Sequence, residues 1–252
     1  MFIKIQNLRI HYKIFGAGES LIFLPGWGWC FEGYLKIITH LAQNFRVIAL
    51  DLPGFGLSTP PQTAWQTEQY AALVAEFARE LEIINPIMVG HSLGGKIALY
   101  LTAEHLVATK KLVLISSAGI KLPKKITQYG KMYAFKLLKN LACLPLLKIF
   151  LARKVNAYRN KVGSQDYRRA HGVMREILVR VVNEDFRSLL PKIKVPTLLI
   201  WGEKDTSTPL TAGQLMQKII PEAKLVVFPK AGHFPHEHDF IEFCKQVDGF
   251  LS

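Results

Sequence analysis

Five short apolar runs decide most of what this chain can fold into. Ser20–Pro25 (SLIFLP), Arg46–Asp51 (RVIALD), Pro86–Gly90 (PIMVG), Lys111–Ser116 (KLVLIS) and Val195–Trp201 (VPTLLIW) are each too short for a helix and lack polar alternation. Runs of this kind, bounded by turn residues, are the signature of strands buried on both faces. Ala223–Phe228 adds a sixth strand. Covering both faces of such a sheet takes helices, and helical patterns lie between the runs. Thr67–Leu81 puts Tyr70, Val74, Phe77, Ala78 and Leu81 on one face, Lys96–Glu104 is helical in propensity, and Leu210–Ile219 and Asp239–Leu251 read as two more helices. At the start, Phe2–Gln6 and Arg9–Phe15 alternate apolar and polar residues around a break at Asn7, which predicts an antiparallel pair. The order implies an α/β fold with a mostly parallel central sheet flanked by helices.

One segment departs from this rhythm. Between Lys121 and Leu190 no strand pattern is found, only helical ones. Tyr133, Leu137, Leu138 and Leu141 share a face, and Met174, Ile177, Leu178 and Val181 recur at helical spacing. The expectation is an α/β core built from residues 1–120 and 191–252, with 121–190 as an all-helical cap over the C-terminal edge of the sheet. Ligands bind at that edge in open α/β sheets.

Charge singles out the same segment. The 252-residue chain carries a net +13, and residues 121–190 hold 16 Lys and Arg against 4 Asp and Glu; the other 182 residues are nearly balanced at 16 against 15. Two readings stand side by side: a solvated basic face, or a surface that draws anionic lipid or anionic substrates. Lys131, Lys136, Lys139 and Lys148 interleave with Met132, Phe135, Leu146 and Phe150, which suits a membrane interface and suits an acyl pocket equally. No nucleic-acid-binding module accompanies the charge, so nucleic acid is not an expected partner. No apolar stretch reaches the ~18–20 residues of a membrane span; the nearest, Leu141–Ala152, is broken by Pro145. Cys30, Cys143 and Cys244 are odd in number and scattered, which opposes a disulfide framework and fits a reducing compartment. A cytoplasmic protein is expected, with peripheral membrane association as the alternative.

The chemistry is concentrated in Val89–Lys96, VGHSLGGK, which joins a buried strand to a helix. The pattern G-x-S-x-G in that setting places Ser92 on a turn so tight that side chains at the flanking positions would clash, and glycine removes both clashes. The helix N-terminus behind the serine favours developing negative charge. A nucleophilic serine needs a base and an acid, and two later loops offer them. Leu198–Asp205 sets Asp205 just past a strand, and Pro229–His236 sets His233 on the loop after the last strand.

These segments together resemble the α/β-hydrolase superfamily, and a serine esterase or lipase with a helical cap in particular. The elbow GHSLGG, the acid motif WGEKDTSTP and the histidine motif AGHFPHE occur in the order of that family. LPGWG at Leu24–Gly28 and DLPGFGLS at Asp51–Ser58 are similar to its oxyanion loop and to the loop after its fourth strand. The resemblance covers essentially the whole chain and implies Ser92 as nucleophile, His233 as general base and Asp205 as the residue that orients it. It also implies an oxyanion hole made by the backbone N–H groups of Trp27 and Leu93. The family usually carries His-Gly before the oxyanion residue, whereas this chain has Pro25-Gly26, so the hydrogen bonds of that histidine must come from elsewhere.

The implied reaction is hydrolysis of a carboxylic ester through an acyl-serine, with a small acyl ester as substrate. Thioesterase, acyltransferase and carbon–carbon bond hydrolase are sister readings on the same triad, and a non-catalytic ligand receptor is the rival from another class. No nucleotide or metal motif is present, so no cofactor is implied. Glu203 rivals Asp205 as the acid. His236 and His238 with Asp239 raise a metal site against the simpler reading of a solvated loop. Asp51 reads as a structural carboxylate, His91 as a shaper of the pocket, His171 as surface or packing, and Met132, Tyr133 and Phe135 as packing within the cap.

Overall fold

In a computed structural model, residues 1–123 and 164–252 are described. They form an eight-stranded sheet: β1 (Phe2–Ile5), β2 (Leu8–Phe15), β3 (Glu19–Leu24), β4 (Phe45–Leu50), β5 (Ile87–His91), β6 (Leu112–Ile115), β7 (Thr197–Gly202) and β8 (Ala223–Phe228). The spatial order is β1-β2-β4-β3-β5-β6-β7-β8. β1 pairs antiparallel with β2 and β2 antiparallel with β4, and every later pairing is parallel. All of the apolar runs read from the sequence as buried strands are strands of this sheet.

Alternate residues of the central strands feed two cores, as the period of a strand requires. Ile22, Leu24, Ile48 and Leu50 face one side, where α2 (Thr67–Glu80), α3 (Leu93–Ala103) and α6 (Leu210–Ile219) contribute Tyr70, Phe77, Leu99 and Met216. Leu21, Phe23, Val47 and Ala49 face the other, against α1 (Leu35–Leu41) and α8 (Phe240–Leu251), through Ile37, Ile38, Phe243 and Val247. The sequence reading assigns no element to α1. Its seven residues, LKIITHL, include three β-branched side chains in a row, so propensity opposes the helix that burial of Ile37, Ile38 and Leu41 enforces.

Of residues 121–190, the described part holds α4 (Gln165–Arg169), α5 (Gly172–Val181) and a 3-10 turn at Leu190–Lys192, and no strand. α5 buries Ile177, Leu178 and Val181, three of the four positions picked out by periodicity. The expected faces around Tyr133 and the lysine-rich stretch from Lys131 to Lys148 lie outside the described residues, as does Cys143. Cys30 and Cys244 are free thiols. Among the described residues no helix is long and apolar enough to cross a membrane. A short helix α7 (Pro235–His238) follows β8 and completes the elements around the site.

Candidate active site

The strand–helix junction at Ser92 is built as the sequence demands. β5 ends at His91, α3 begins at Leu93, and Ser92 between them has φ 51° and ψ −110°. A positive φ is costly for a residue with a Cβ and persists only where its surroundings fix it. They do so here on both sides. Ser92 N donates to Ile115 O at 3.0 Å, while Ser92 O accepts from Lys96 N and Ala118 N at 3.0 Å each. A Cβ on Gly90 would stand 2.5 Å from the Gly94 carbonyl, and one on Gly94 would run into the Leu24 carbonyl of β3. The turn therefore closes only with glycine at both places.

Ser92 opens into a cavity of about 670 Å³ that His233 also lines. His233 Nδ1 donates to Asp205 Oδ2 at 2.8 Å, and that bond fixes the tautomer in which Nε2 is the basic nitrogen. Asp205 is buried at the end of β7, and its Oδ1 accepts from the amides of Ser207 (2.8 Å) and Thr208 (3.0 Å). Burial pushes the Asp205 carboxyl up, but the His233 bond and charge, with the Thr208 bonds, outweigh it and hold the group below its ordinary range. Thr208 was not singled out in the sequence. Its Oγ1 lies 2.8 Å from Asp205 Oδ2 and 2.9 Å from the carbonyl of Ser116, the residue after β6, so its one proton can be given to either acceptor. Glu203, the rival acid, is exposed and accepts from Lys230 N at 3.0 Å. The structure brings Asp205, not Glu203, to the histidine.

Trp27 and Leu93 also line the cavity. Leu93 is the first residue of α3, so its N–H is one of those that no carbonyl of the helix can accept. Trp27 lies in a turn closed by Trp29 N on Gly26 O (3.2 Å), with Gly28 at φ 78°, and its ring packs edge-on against Phe55. His91 is fully enclosed and hydrogen-bonded through both ring nitrogens.

The opposite wall comes from the end of α5 and the segment after it. Leu178, Val181 and Val182 line the cavity together with Ile120 and Leu122, while Lys121, Arg169 and Asp166 supply charge. Burial raises the Asp166 carboxyl, and His233 and Arg169 partly offset it. Lys96, one turn after Ser92, is 2% exposed, and its Nζ donates to Val181 O and sits 2.9 Å from Glu184 Oε2. Burial lowers its pKa against the pull of Glu184. Glu184 in turn accepts from Thr67 N (3.0 Å) and Thr67 Oγ1 (2.5 Å) at the start of α2. Sequence reading missed this clasp, although a lone lysine in the apolar run GGKIALYL was a usable signal.

Asp51 is fully buried and accepts from Phe31 N, Leu57 N and His11 Nδ1, a structural carboxylate. The solvated-loop reading fails for His236, which is 5% exposed, with its ring against Tyr34, Phe234 and Phe243 and no partner for Nδ1 among the described residues. α7 folds the AGHFPHE segment inward, and alternating polarity could not reveal so short a helix. His238 and Asp239 are exposed. The one group of three or more potential cation ligands found close together among the described residues is Cys30, Glu32 and Asp51, and it includes neither His236 nor His238.

With this geometry in view, the chain can be set beside known proteins. The sequence profile of a family described as "alpha/beta hydrolase fold" matches residues 19–240. A pimeloyl-[acyl-carrier protein] methyl ester esterase of Legionella pneumophila (strain Corby) is 27% identical over 97% of this chain and 100% of its own length. Lipase 1 of Psychrobacter immobilis is 27% identical over 94% of this chain and 78% of its own. Among solved structures, a bacterial membrane phospholipase A superposes with a TM-score of 0.77 at 25% identity, covering 100% of this chain and 84% of that one. An enol-lactonase from Burkholderia xenovorans LB400 shares the fold, with a TM-score of 0.76 at 20% identity over 100% of this chain and 99% of its own.

Proposed function

The chain belongs to the α/β-hydrolase fold family, and on that premise we propose that it cleaves carboxylic esters through an acyl-serine on Ser92. Ser92 Oγ attacks the ester carbonyl as its proton passes to His233 Nε2. The tetrahedral oxyanion takes the N–H groups of Trp27 and Leu93, and the alcohol leaves with the proton held by His233. Water then attacks the acyl-serine, gives a proton to the same nitrogen and releases the acid. Asp205 keeps the proton on Nδ1 throughout and stabilises the imidazolium. The observation that carries this reading is the left-handed Ser92 facing a cavity shared with a histidine whose far nitrogen is bound to a buried carboxylate.

The enzyme is a carboxylic ester hydrolase of small acyl esters. An apolar wall of Leu178, Val181 and Val182 suits an acyl chain, and Lys121 and Arg169 suit an ester that also carries negative charge. Relatives named as a pimeloyl-[acyl-carrier protein] methyl ester esterase and a lipase support acyl esters as the substrate class. Turnover of p-nitrophenyl esters across acyl lengths tests it, with Ser92→Ala as the control. A triad knockout removes on the order of 10⁶ in kcat. Near-native turnover by a folded Ser92→Ala protein overturns the assignment.

The domain division at 121 and 190 and a cytoplasmic location belong to the same reading. The basic residues of 121–190 would give weak, salt-sensitive adsorption to anionic lipid, at about 1 kcal/mol per lysine near the surface. Cosedimentation with anionic and neutral vesicles at low and physiological salt decides this. Equal binding to both leaves the basic residues as a solvated face.

A further inference from the structure

Three hydrogen bonds, two buried and one partly buried, run through His91, the residue before Ser92, and link the two loops that the proposed reaction depends on. Gly26 N lies 3.3 Å from Tyr34 Oη, Tyr34 Oη lies 2.8 Å from His91 Nδ1, and His91 Nε2 lies 2.9 Å from His233 O. Their direction is forced. A carbonyl only accepts, so His91 Nε2 must carry a proton and donate to His233 O. A neutral ring then has a bare Nδ1, which accepts from the Tyr34 hydroxyl, and the hydroxyl oxygen accepts from Gly26 N–H. His91 is fully buried, and burial, with His233 nearby, holds its pKa well below the ordinary value, so the neutral ring is the state in place. Burial also raises the Tyr34 pKa, which keeps the hydroxyl protonated.

We propose that Tyr34 and His91 are positioning residues that couple the oxyanion loop to the base loop, fixing Trp27 N–H and His233 relative to Ser92. This rests on the acyl-serine reading above. The chain starts at the peptide before Trp27 and ends on the backbone of the base itself, passing through the residue that precedes the nucleophile. It also supplies the restraint that Pro25 cannot give where the family usually has histidine. The approach is close: a Cβ on Gly26 would lie 2.8 Å from His91 Nδ1 and 3.3 Å from Tyr34 Oη. The hydrogen bonds of both side chains go to positioning groups, and the His91 ring also packs against the ring of His233 at 4.7 Å between centroids, so each acts on catalysis by holding others. Tyr34 is the member that no motif marks, because it lies in the 3-10 turn Phe31–Tyr34 outside every recognised segment.

The test compares Tyr34→Phe, His91→Leu and His91→Gln with wild type, with kcat counted per site titrated by a fluorophosphonate and KM measured separately. Tyr34→Phe removes one oxygen and keeps the ring, so it reports even where His91→Leu fails to fold. Losing one such bond is expected to cost about tenfold in kcat with KM unchanged. His91→Gln keeps a donor near the Nε2 position and should recover much of what His91→Leu loses. Wild-type kcat in Tyr34→Phe, or a His91→Gln protein no better than a folded His91→Leu, overturns the coupling. So does a loss that appears in KM alone. If wild type hydrolyses none of the esters tried, the rate of fluorophosphonate labelling at Ser92 replaces kcat as the readout. Wild type that neither turns over nor labels defeats the function itself, whereas active wild type with inert substitutions defeats only the coupling.

Discussion

The two walls of the cavity are held by opposite means. The wall that carries Ser92, Asp205 and His233 is fixed by a strained backbone, obligatory glycines and bonds between neutral groups behind the serine. The facing wall, made by α5 and the residues after it, is tied to α3 by an ion pair between the buried Lys96 and the half-buried Glu184. One arrangement tolerates little motion. The other depends on two charges taken out of water that are stable only as a pair. The difference suits a site in which reacting groups need fixed geometry while the opposite wall sets the shape of the space.

The sharpest way to break the first wall is to remove its carboxylate. Asp205→Asn should depress kcat on the order of 10⁴ through loss of the correct His233 tautomer, with thermal unfolding little changed. Glu203→Gln, on the exposed side of the same loop, should stay near wild type. The reverse pattern in a kinetic comparison of the two variants would show that the acid is Glu203.

The second wall should fail through stability and not through chemistry. Lys96→Met leaves the partly exposed Glu184 without its cation but with its Thr67 bonds, and is expected to cost about 1–3 kcal/mol, read as a lower urea midpoint. Adding Glu184→Gln should restore part of it. The kcat per titrated site should fall only a few-fold. A Lys96→Met protein as stable as wild type would show that the clasp contributes nothing to holding the wall.

Acid separates the walls further. His236 packs against Tyr34, Phe234 and Phe243 beside the first wall, with its pKa lowered to about 4 by burial and by the neighbouring His233. The unfolded chain therefore binds that proton first as pH drops. The stability is complete above the unfolded value of 6.5 and is lost as pH falls from there toward 4, by up to about 3 kcal/mol. His91 shifts in the same direction. His236→Phe should flatten this fall in urea midpoint between pH 6.5 and 4 without removing the part due to His91. An unchanged slope would mean that His236 is not protonated on unfolding in this range.

The sheet and the segments around the reacting groups were legible because their causes are local. Continuous apolar runs mark buried strands wherever they occur, and Gly90 and Gly94 are required by contacts within one turn. Asp205 and His233 stand just past strands β7 and β8, so order along the chain was enough to pair them. The rest was not legible because its causes are distant. Glu184 meets Lys96 from 88 positions away, and Tyr34 meets His91 from 57. Neither pairing leaves a periodic trace. His236 looked solvated because Glu237, His238 and Asp239 follow it, and only the fold of α7 turns it inward.

The central claim is that Ser92 is a nucleophile activated by His233 and Asp205. Exposing the protein to a fluorophosphonate and locating the adduct by peptide mass spectrometry tests it most directly. The account predicts one adduct, on the peptide containing Ser92, formed far more slowly in Asp205→Asn and absent in Ser92→Ala. An adduct on another residue, or labelling of Ser92 at the same rate in Asp205→Asn, would contradict it.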